Sequence, residues 1–143
     1  MTILKNEITN DPNTVGYVDM SNEAVASSLN AKNIPSLKKI ETHDIEQYLV
    51  LTDLLLEIEA GTTQAAKVAA RALQAFDSFD VTNPLILGKF TSILTGLVND
   101  SSLSFSATDK TNILSLGNTS ISRATQLGLG VVTAGQVQAE RMA

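Results

Sequence analysis

Residues 42–60 read THDIEQYLVLTDLLLEIEA, the most strongly apolar helical pattern in the chain. When the segment is drawn as a helix, the acids Glu46, Asp53 and Glu57 fall on one narrow strip, and apolar side chains cover much of the remaining circumference. A helix that is apolar on most sides is buried on most sides. The segment is therefore predicted to be one central helix, ended by Gly61.

Capping residues predict further helices on both sides of the central one. No long alternating run predicts a sheet, and Val131-Val132 is the only plausible strand. The pattern predicts an all-α fold, a single compact bundle of about four to six helices with a short-helix C-terminal tail. A short helix is expected over residues 120–127, and the other predicted N-caps are Ser21, Thr62 or Thr63, Asn83, Ser106 and Thr133.

A serine-rich loop at residues 99–106 marks the one shift in composition along the chain. It predicts a helical body over residues 1–117, with an N-terminal arm at residues 1–20, and a C-terminal tail over residues 118–143. Short helices interrupted by glycine are marginal in isolation. We therefore expect the tail to be dispensable for folding of the body, and to pack on a partner or to order on contact with one.

Charge and composition bound the possible partners. Residues 1–60 hold ten acids and four bases, whereas residues 61–143 hold five acids and six bases. An acidic front half repels phosphate, so nucleic acids and anionic membranes are not expected partners. The chain has no cysteine, which excludes disulfides, thiolate nucleophiles and zinc–thiolate sites.

Neither a membrane span nor a secretory signal is expected. The stretch over residues 48–58 is interrupted by Asp53 and Glu57. It is also much shorter than the roughly 20 apolar residues that a spanning helix needs. Residues 1–7 lack the apolar region of a secretory signal. The sequence therefore predicts a soluble protein.

The candidate catalytic and ligand-binding patterns are weak. His43 stands beside Asp44, but adjacent residues on a helix do not face each other. The strip of Glu46, Asp53 and Glu57 could dock a basic partner or hold a divalent cation, or it could be a solvated face. Residues 127–130, with two glycines, lack the preceding strand and third glycine of a dinucleotide site. We therefore expect no enzyme activity, no metal or cofactor, and no small-molecule substrate.

Residues 122–141 are similar to a helix–turn–helix motif in outline, with a short helix, a glycine turn and a second helix. The second helix offers one base, Arg141, and one acid, Glu140. A recognition helix usually presents more donors to base edges and phosphates. Specific nucleic-acid binding is therefore not expected.

Two sets of residues, one near each end of the chain, carry a family resemblance. The front set is Asp11-Pro12, Gly16-Tyr17, Met20-Ser21, Ala24-Val25 and Leu29-Asn30, and the back set is Ser122-Arg123-Ala124, Leu127-Gly128-Leu129-Gly130, Val132, Val137 and Arg141. Together they resemble small proteins encoded among the virion genes of tailed bacteriophages. That family often has acidic residues after the Arg-Ala pair, where this chain has Thr125-Gln126. The resemblance implies a role in the virion or its assembly and no active-site residues.

The resemblance and the absence of a catalytic pattern predict a non-enzymatic structural component of a tailed-phage particle, associated with the connector, the tail or the capsid. It would be made in the host cytoplasm, reside in the virion, and bind other virion proteins and copies of itself through helix faces and the tail. The alternative is a cytoplasmic, phage-encoded assembly chaperone or an acidic protein that binds a host factor. The candidate interaction residues are Leu127, Leu129, Val132, Val137, Arg141, Glu46, Asp53 and Glu57.

Overall fold

A computed structural model describes residues 2–143, and this part of the chain is mostly helical. It contains nine α-helices, a single 3₁₀ turn at Tyr17–Asp19 and four short strands. The helices are α1 (Ile3–Asn10), α2 (Asn22–Asn30), α3 (Thr42–Leu51), α4 (Leu55–Ala60), α5 (Gln64–Ala75), α6 (Pro84–Val98), α7 (Ala107–Ser115), α8 (Arg123–Gln126) and α9 (Ala134–Met142). The strands are β1 (Ile34–Leu37), β2 (Ile40–Glu41), β3 (Ser78–Phe79) and β4 (Asn118–Ile121). The predicted helical character is confirmed, but the fold is not purely α.

The chain forms two compact units rather than one body with a tail. Residues 2–36 and 120–143 make the first, here called the terminal unit, and Leu37–Thr119 makes the second, the central unit. This division differs from the predicted boundary at residue 117. The physical reason is that the short helices at each end of the chain cannot bury their apolar side chains alone, and each end finds that packing on the other.

The terminal unit has its own hydrophobic core. Helix α2 packs against α8 and α9, and α1 packs against α9. Met20, which precedes the N-cap Ser21, packs on the core that contains Val25. The buried core residues are Leu4, Tyr17, Val25, Ala26, Leu29, Ala124, Val132 and Val137.

The central unit has a second, larger core. Helices α4, α5, α6 and α7 pack in sequence order, each on the next. The rings of Phe79 and Phe90 stack in this core with their centroids 4.8 Å apart. Strand β2 pairs antiparallel with β3, and Ile40 lies opposite Phe79 in the register. Gly117 is buried beside Ile40, where an added Cβ would come within 3.1 Å of that side chain.

The predicted central helix is in fact two helices, separated at residues 52–54. Asp53 has a φ of 59°, a left-handed conformation that aspartate tolerates better than most residues. The N–H of Leu54 donates to the carbonyl of Leu49 at 2.8 Å. This six-to-one bond closes a helix end of the Schellman type and turns Leu54 into the core. The single-helix prediction is wrong because the apolar periodicity continues across the break.

The predicted helix starts are confirmed. At each one the side chain accepts a hydrogen bond from a backbone N–H in the first turn, which satisfies a donor that the helix leaves free. The last two of these starts are complete capping boxes. The capping residues are Ser21, Thr63, Asn83, Ser106 and Thr133.

The strand prediction is wrong. Val131-Val132 is not a strand, and the four strands that form lie elsewhere. Strand β1 pairs with β4, and β4 occupies the start of the predicted helix over residues 120–127. What remains of that helix is α8, and Gly128, with a φ of 76°, follows its C-terminus as predicted. No helix among residues 2–143 has the length and apolar character needed to cross a membrane.

The two faces of α4 should contribute very unequally to the stability of the central unit. Ile58 is 1% exposed, whereas Leu56 on the same helix is 78% exposed. We expect Ile58→Ala to lower the free energy of unfolding by about 2–5 kcal/mol, because it leaves a cavity. Leu56→Ala should change it by no more than about 0.5 kcal/mol. Chemical denaturation of both variants measures this, and a loss in Leu56→Ala as large as the loss in Ile58→Ala would contradict the assignment of the buried face of α4.

Candidate interaction surfaces

The predicted acidic strip does not form. Glu46 lies on α3, Asp53 lies in the break and Glu57 lies on α4, so the three carboxylates do not share a helix face. Glu57 is engaged within the central unit, because its carboxylate accepts a hydrogen bond from the backbone N–H of Ser104. Among the residues that the structure describes, no group of three or more His, Asp or Glu side chains could hold a metal ion.

His43 lies in the first turn of α3, where it is exposed to solvent together with Asp44. The imidazole of His43 and the carboxylate of Asp44 are therefore both open to solvent.

The predicted interaction residues of the C-terminal segment belong mainly to the terminal unit's own core. Val132 and Val137 are buried in it, which removes them from the surface available to a partner. Leu127 and Leu129 are half-buried, and Leu129 packs on the same core. The backbone of Val132 is also held, since its N–H donates to the Asn30 side chain at 2.9 Å and its carbonyl accepts from that side chain at 2.7 Å.

Arg141 is also committed within the terminal unit. Its guanidinium donates to the carbonyl of Met20 at 2.8 Å, to the side-chain oxygen of Asn22 at 3.0 Å, and to the carbonyl of Tyr17. These bonds attach the C-terminal helix α9 to the segment that precedes and begins α2. The backbone carbonyls that Arg141 binds carry no pattern in the sequence, so sequence reasoning could not have identified this role.

A buried ion pair links the two ends of the chain. The guanidinium of Arg123 binds the carboxylate of Glu7 through two hydrogen bonds, Nε to Oε1 at 2.8 Å and Nη2 to Oε2 at 2.9 Å. Glu7 is 3% exposed, and the Tyr17 hydroxyl donates to its Oε1 at 3.3 Å. The hydrogen bonds to Glu7 raise the pKa of Arg123. A two-pronged pair of this kind supplies geometric specificity as well as energy.

Breaking this pair from the arginine side should be costly. We expect Arg123→Met to lower the free energy of unfolding at neutral pH by about 3–5 kcal/mol, because the Glu7 carboxylate stays buried without a cation. Adding Glu7→Gln to that variant should recover part of the loss, since the uncompensated charge is then gone. Denaturant unfolding gives the free energy of unfolding of the natural chain, of Arg123→Met and of the double variant.

The matched control is Lys39→Met, which breaks the exposed pair between Lys39 and Glu41, whose charged atoms are 3.7 Å apart. An exposed pair contributes about 1 kcal/mol or less. A loss in Arg123→Met no greater than in this control would contradict the buried pair.

The hydroxyl of Tyr17 should lose its proton at a higher pH than the hydroxyl of an ordinary tyrosine does. Burial, together with the negative charge of Glu7, raises its pKa from the ordinary value of 10 to about 12. Because the folded-state pKa lies above the unfolded one, the stabilisation is complete below about pH 10 and is lost as the pH rises towards about 12.

In Tyr48→Phe, Tyr17 is the single remaining tyrosine, so phenolate absorbance reports it alone. Circular dichroism shows over which pH range the chain stays folded. A midpoint of the phenolate absorbance change near pH 10 within that range would contradict the burial of Tyr17.

The central unit carries an open apolar groove between α5 and α6. Two adjoining clefts of about 390 and 280 Å³ form it, and both are lined by Lys89 and Ile93. Phe76 is 56% exposed and Leu85 is 70% exposed at one end of the groove, and Val68 lines the other end. We call these five residues the α5–α6 groove. An apolar residue on a helix does not show from the sequence whether another part of the chain covers it.

A second apolar surface lies where α3 meets α4. Val50, Leu51 and Leu56 are exposed there, and Leu51 is 76% exposed. Val50 and Leu56 line a cleft of about 350 Å³ together with Asp53. We call the three apolar residues the α3–α4 patch. The break at Asp53 creates it, because an unbroken helix would not bend the chain at this point.

No known family model, curated protein or solved structure matches the chain.

Proposed function

We propose that this chain is a non-enzymatic structural component of a tailed-phage particle, at the connector, the tail or the capsid, and that it acts by burying apolar helix faces against neighbouring subunits. The observation that carries the proposal is the α5–α6 groove. Soluble monomers rarely expose contiguous apolar patches larger than roughly a few hundred Å², and large patches of this kind often mark contacts with other molecules. The groove has apolar walls with few polar groups, as expected for the centre of a protein interface.

The residues around the groove favour a macromolecular partner over a small substrate. Its walls are helix faces, and the charged group that both of its clefts share is the flexible Lys89. Catalysis needs a nucleophile or a pair of proton-transfer groups within hydrogen-bond reach of a bound substrate. Asp80 and Lys89, the ionisable residues that line the cleft of about 280 Å³, are both exposed to solvent.

The phage assignment is supported by where the family resemblance falls. Every residue of the front and back motifs lies in the terminal unit. Tyr17 and Val25 from the front motif share a core with Ala124 and Val137 from the back motif. Two motifs about a hundred residues apart thus specify one folded unit, which argues that the resemblance reflects a shared fold of that unit. We propose that the terminal unit is the part held in common with the phage family.

The alternative is an assembly chaperone or host-factor-binding protein that stays in the cytoplasm. The α3–α4 patch favours it, because five acids and no lysine or arginine lie on α3, α4 and the break between them. Asp53 lines the cleft beside the exposed Val50 and Leu56, and an acidic group next to apolar side chains suits a basic partner. A transient partner of this kind would be absent from the finished particle.

Mass spectrometry of purified particles from the encoding phage separates the two candidates. A structural component should be present at a fixed copy number relative to the major capsid protein and should remain through a density gradient. A chaperone or host-factor binder should be found in the infected-cell lysate and be missing from gradient-purified particles. Absence from particles would therefore reject the structural role.

A further inference from the structure

We infer that the terminal unit is a clasp, which opens and recloses while the central unit stays folded, and that its closure depends on the folded central unit. The clasp consists of residues 2–36 and 120–143, two segments from opposite ends of the chain. Opening frees both ends of the chain at once without loss of the central fold. This behaviour does not depend on the proposed role in a phage particle.

The two units bury separate sets of apolar side chains. The core of the terminal unit contains Leu29 and Val137, and the core of the central unit contains Phe90 and Leu94. Within the described part of the chain, no buried residue belongs to both cores. A segment with a core of its own can open as a cooperative unit while the rest of the chain stays folded. The terminal unit can therefore lose its packing while the central core is retained.

The terminal unit has the smaller core of the two. Eight buried residues form it, whereas fourteen form the core of the central unit. Its longest helices, α2 and α9, have nine residues each, whereas α5 and α6 have 12 and 15. Small units bury a smaller fraction of their surface, and short helices depend most on packing. The terminal unit should therefore open at a lower free energy than the central unit.

The folded central unit holds the starting points of the clasp's two segments together. It is one uninterrupted stretch of chain, and near its ends the N–H of Lys38 donates to the carbonyl of Gly117 at 2.8 Å. The pairing of β1 with β4 extends this link. If the central unit unfolds, a flexible loop of about eighty residues takes its place, and closing a long loop costs conformational entropy. Closure of the clasp therefore depends on the central unit, whereas the contiguous central core does not depend on the clasp.

The Glu7–Arg123 pair joins the two segments of the clasp. Glu7 is 3% exposed, so loss of the arginine leaves a buried carboxylate without a cation, which is strongly unfavourable. Opening of the clasp exposes that carboxylate to water and removes the penalty. A chain without the arginine should therefore favour the open clasp and still keep the central core, which contains neither residue.

Native-state hydrogen exchange of the full chain tests the inference. Nuclear magnetic resonance follows individual amides as denaturant is raised, and the reporters are Leu29 and Val137 in the clasp and Leu94 in the central unit, all buried on helices. In the natural chain the Leu29 and Val137 amides should share one opening free energy, because α2 and α9 open together. They should exchange at least about tenfold faster than the Leu94 amide once intrinsic exchange rates are allowed for.

Arg123→Met should act on the clasp alone. The two clasp amides should exchange about a hundredfold faster or more, which corresponds to the lower end of the cost of breaking a buried pair. The Leu94 amide should change by less than about twofold, because the central core is distant from the change. Lys39→Met, which breaks an exposed ion pair of the central unit, is the matched control and should change none of the three amides by more than about fivefold.

Ile58→Ala tests the dependence in the other direction. It should speed exchange of the Leu94 amide by about thirtyfold or more, because the cavity weakens the central core. The Leu29 amide should exchange at least as fast as the Leu94 amide at every denaturant concentration, since the clasp does not stay closed on an unfolded central unit.

Three results would overturn the inference. An opening free energy for Leu29 equal to or above that for Leu94 in the natural chain would mean that the terminal unit does not open by itself. An equal effect of Arg123→Met on both amides would mean that the two units unfold together. Slower exchange of Leu29 than of Leu94 in Ile58→Ala would show that the clasp closes without the central unit.

Discussion

A carboxylate buried near one end of the chain is balanced by a cation from the other end. Glu7 and Arg123 are 116 positions apart in sequence, yet their side chains form a two-pronged pair in the terminal unit. A buried charge without a partner is far more costly than the pair itself. The terminal unit can therefore bury the Glu7 carboxylate at low cost only when the two ends of the chain pack together. Arg141 adds a second polar link between the same two segments through the carbonyls of Met20 and Tyr17.

Features of the fold that depend only on residues close together in the sequence were predicted correctly. Each predicted N-cap, from Ser21 to Thr133, accepts its backbone hydrogen bond in the structure. The failures lie where distant segments decide the outcome. The break at Asp53 follows from Leu54 turning into a core that contains helices much later in the chain, while the apolar period runs on unchanged. Strands β1 and β4 form because they pair with each other across some eighty residues, and neither has an alternating pattern of its own.

The candidate surfaces were predictable only in part. The common face of Glu46, Asp53 and Glu57 depended on a helix that does not exist, and of the three only Asp53 is exposed, whereas Glu46 and Glu57 are half-buried. The prediction that Val132 and Val137 contact a partner depends on a C-terminal segment that is separate from the N-terminal arm. In the structure both valines are buried in the core that the two segments form together. Phe76 and Leu85 could not be predicted as part of an interaction surface, because the sequence does not show whether a neighbour covers an apolar residue at a helix end.

The two units use their polar groups in opposite ways. In the terminal unit the arginines Arg123 and Arg141 and the amide of Asn30 are bonded to other parts of the same unit. In the central unit, large apolar side chains such as Leu56 and Leu85 are left uncovered, with the exposed Asp53 beside the first and the exposed Lys89 beside the second. Polar groups that are satisfied inside a unit favour one fold, whereas exposed apolar side chains are stabilised when another surface covers them. The polar bonds of the terminal unit therefore hold the two ends of the chain in one structure, whereas the central unit leaves large apolar side chains exposed to solvent.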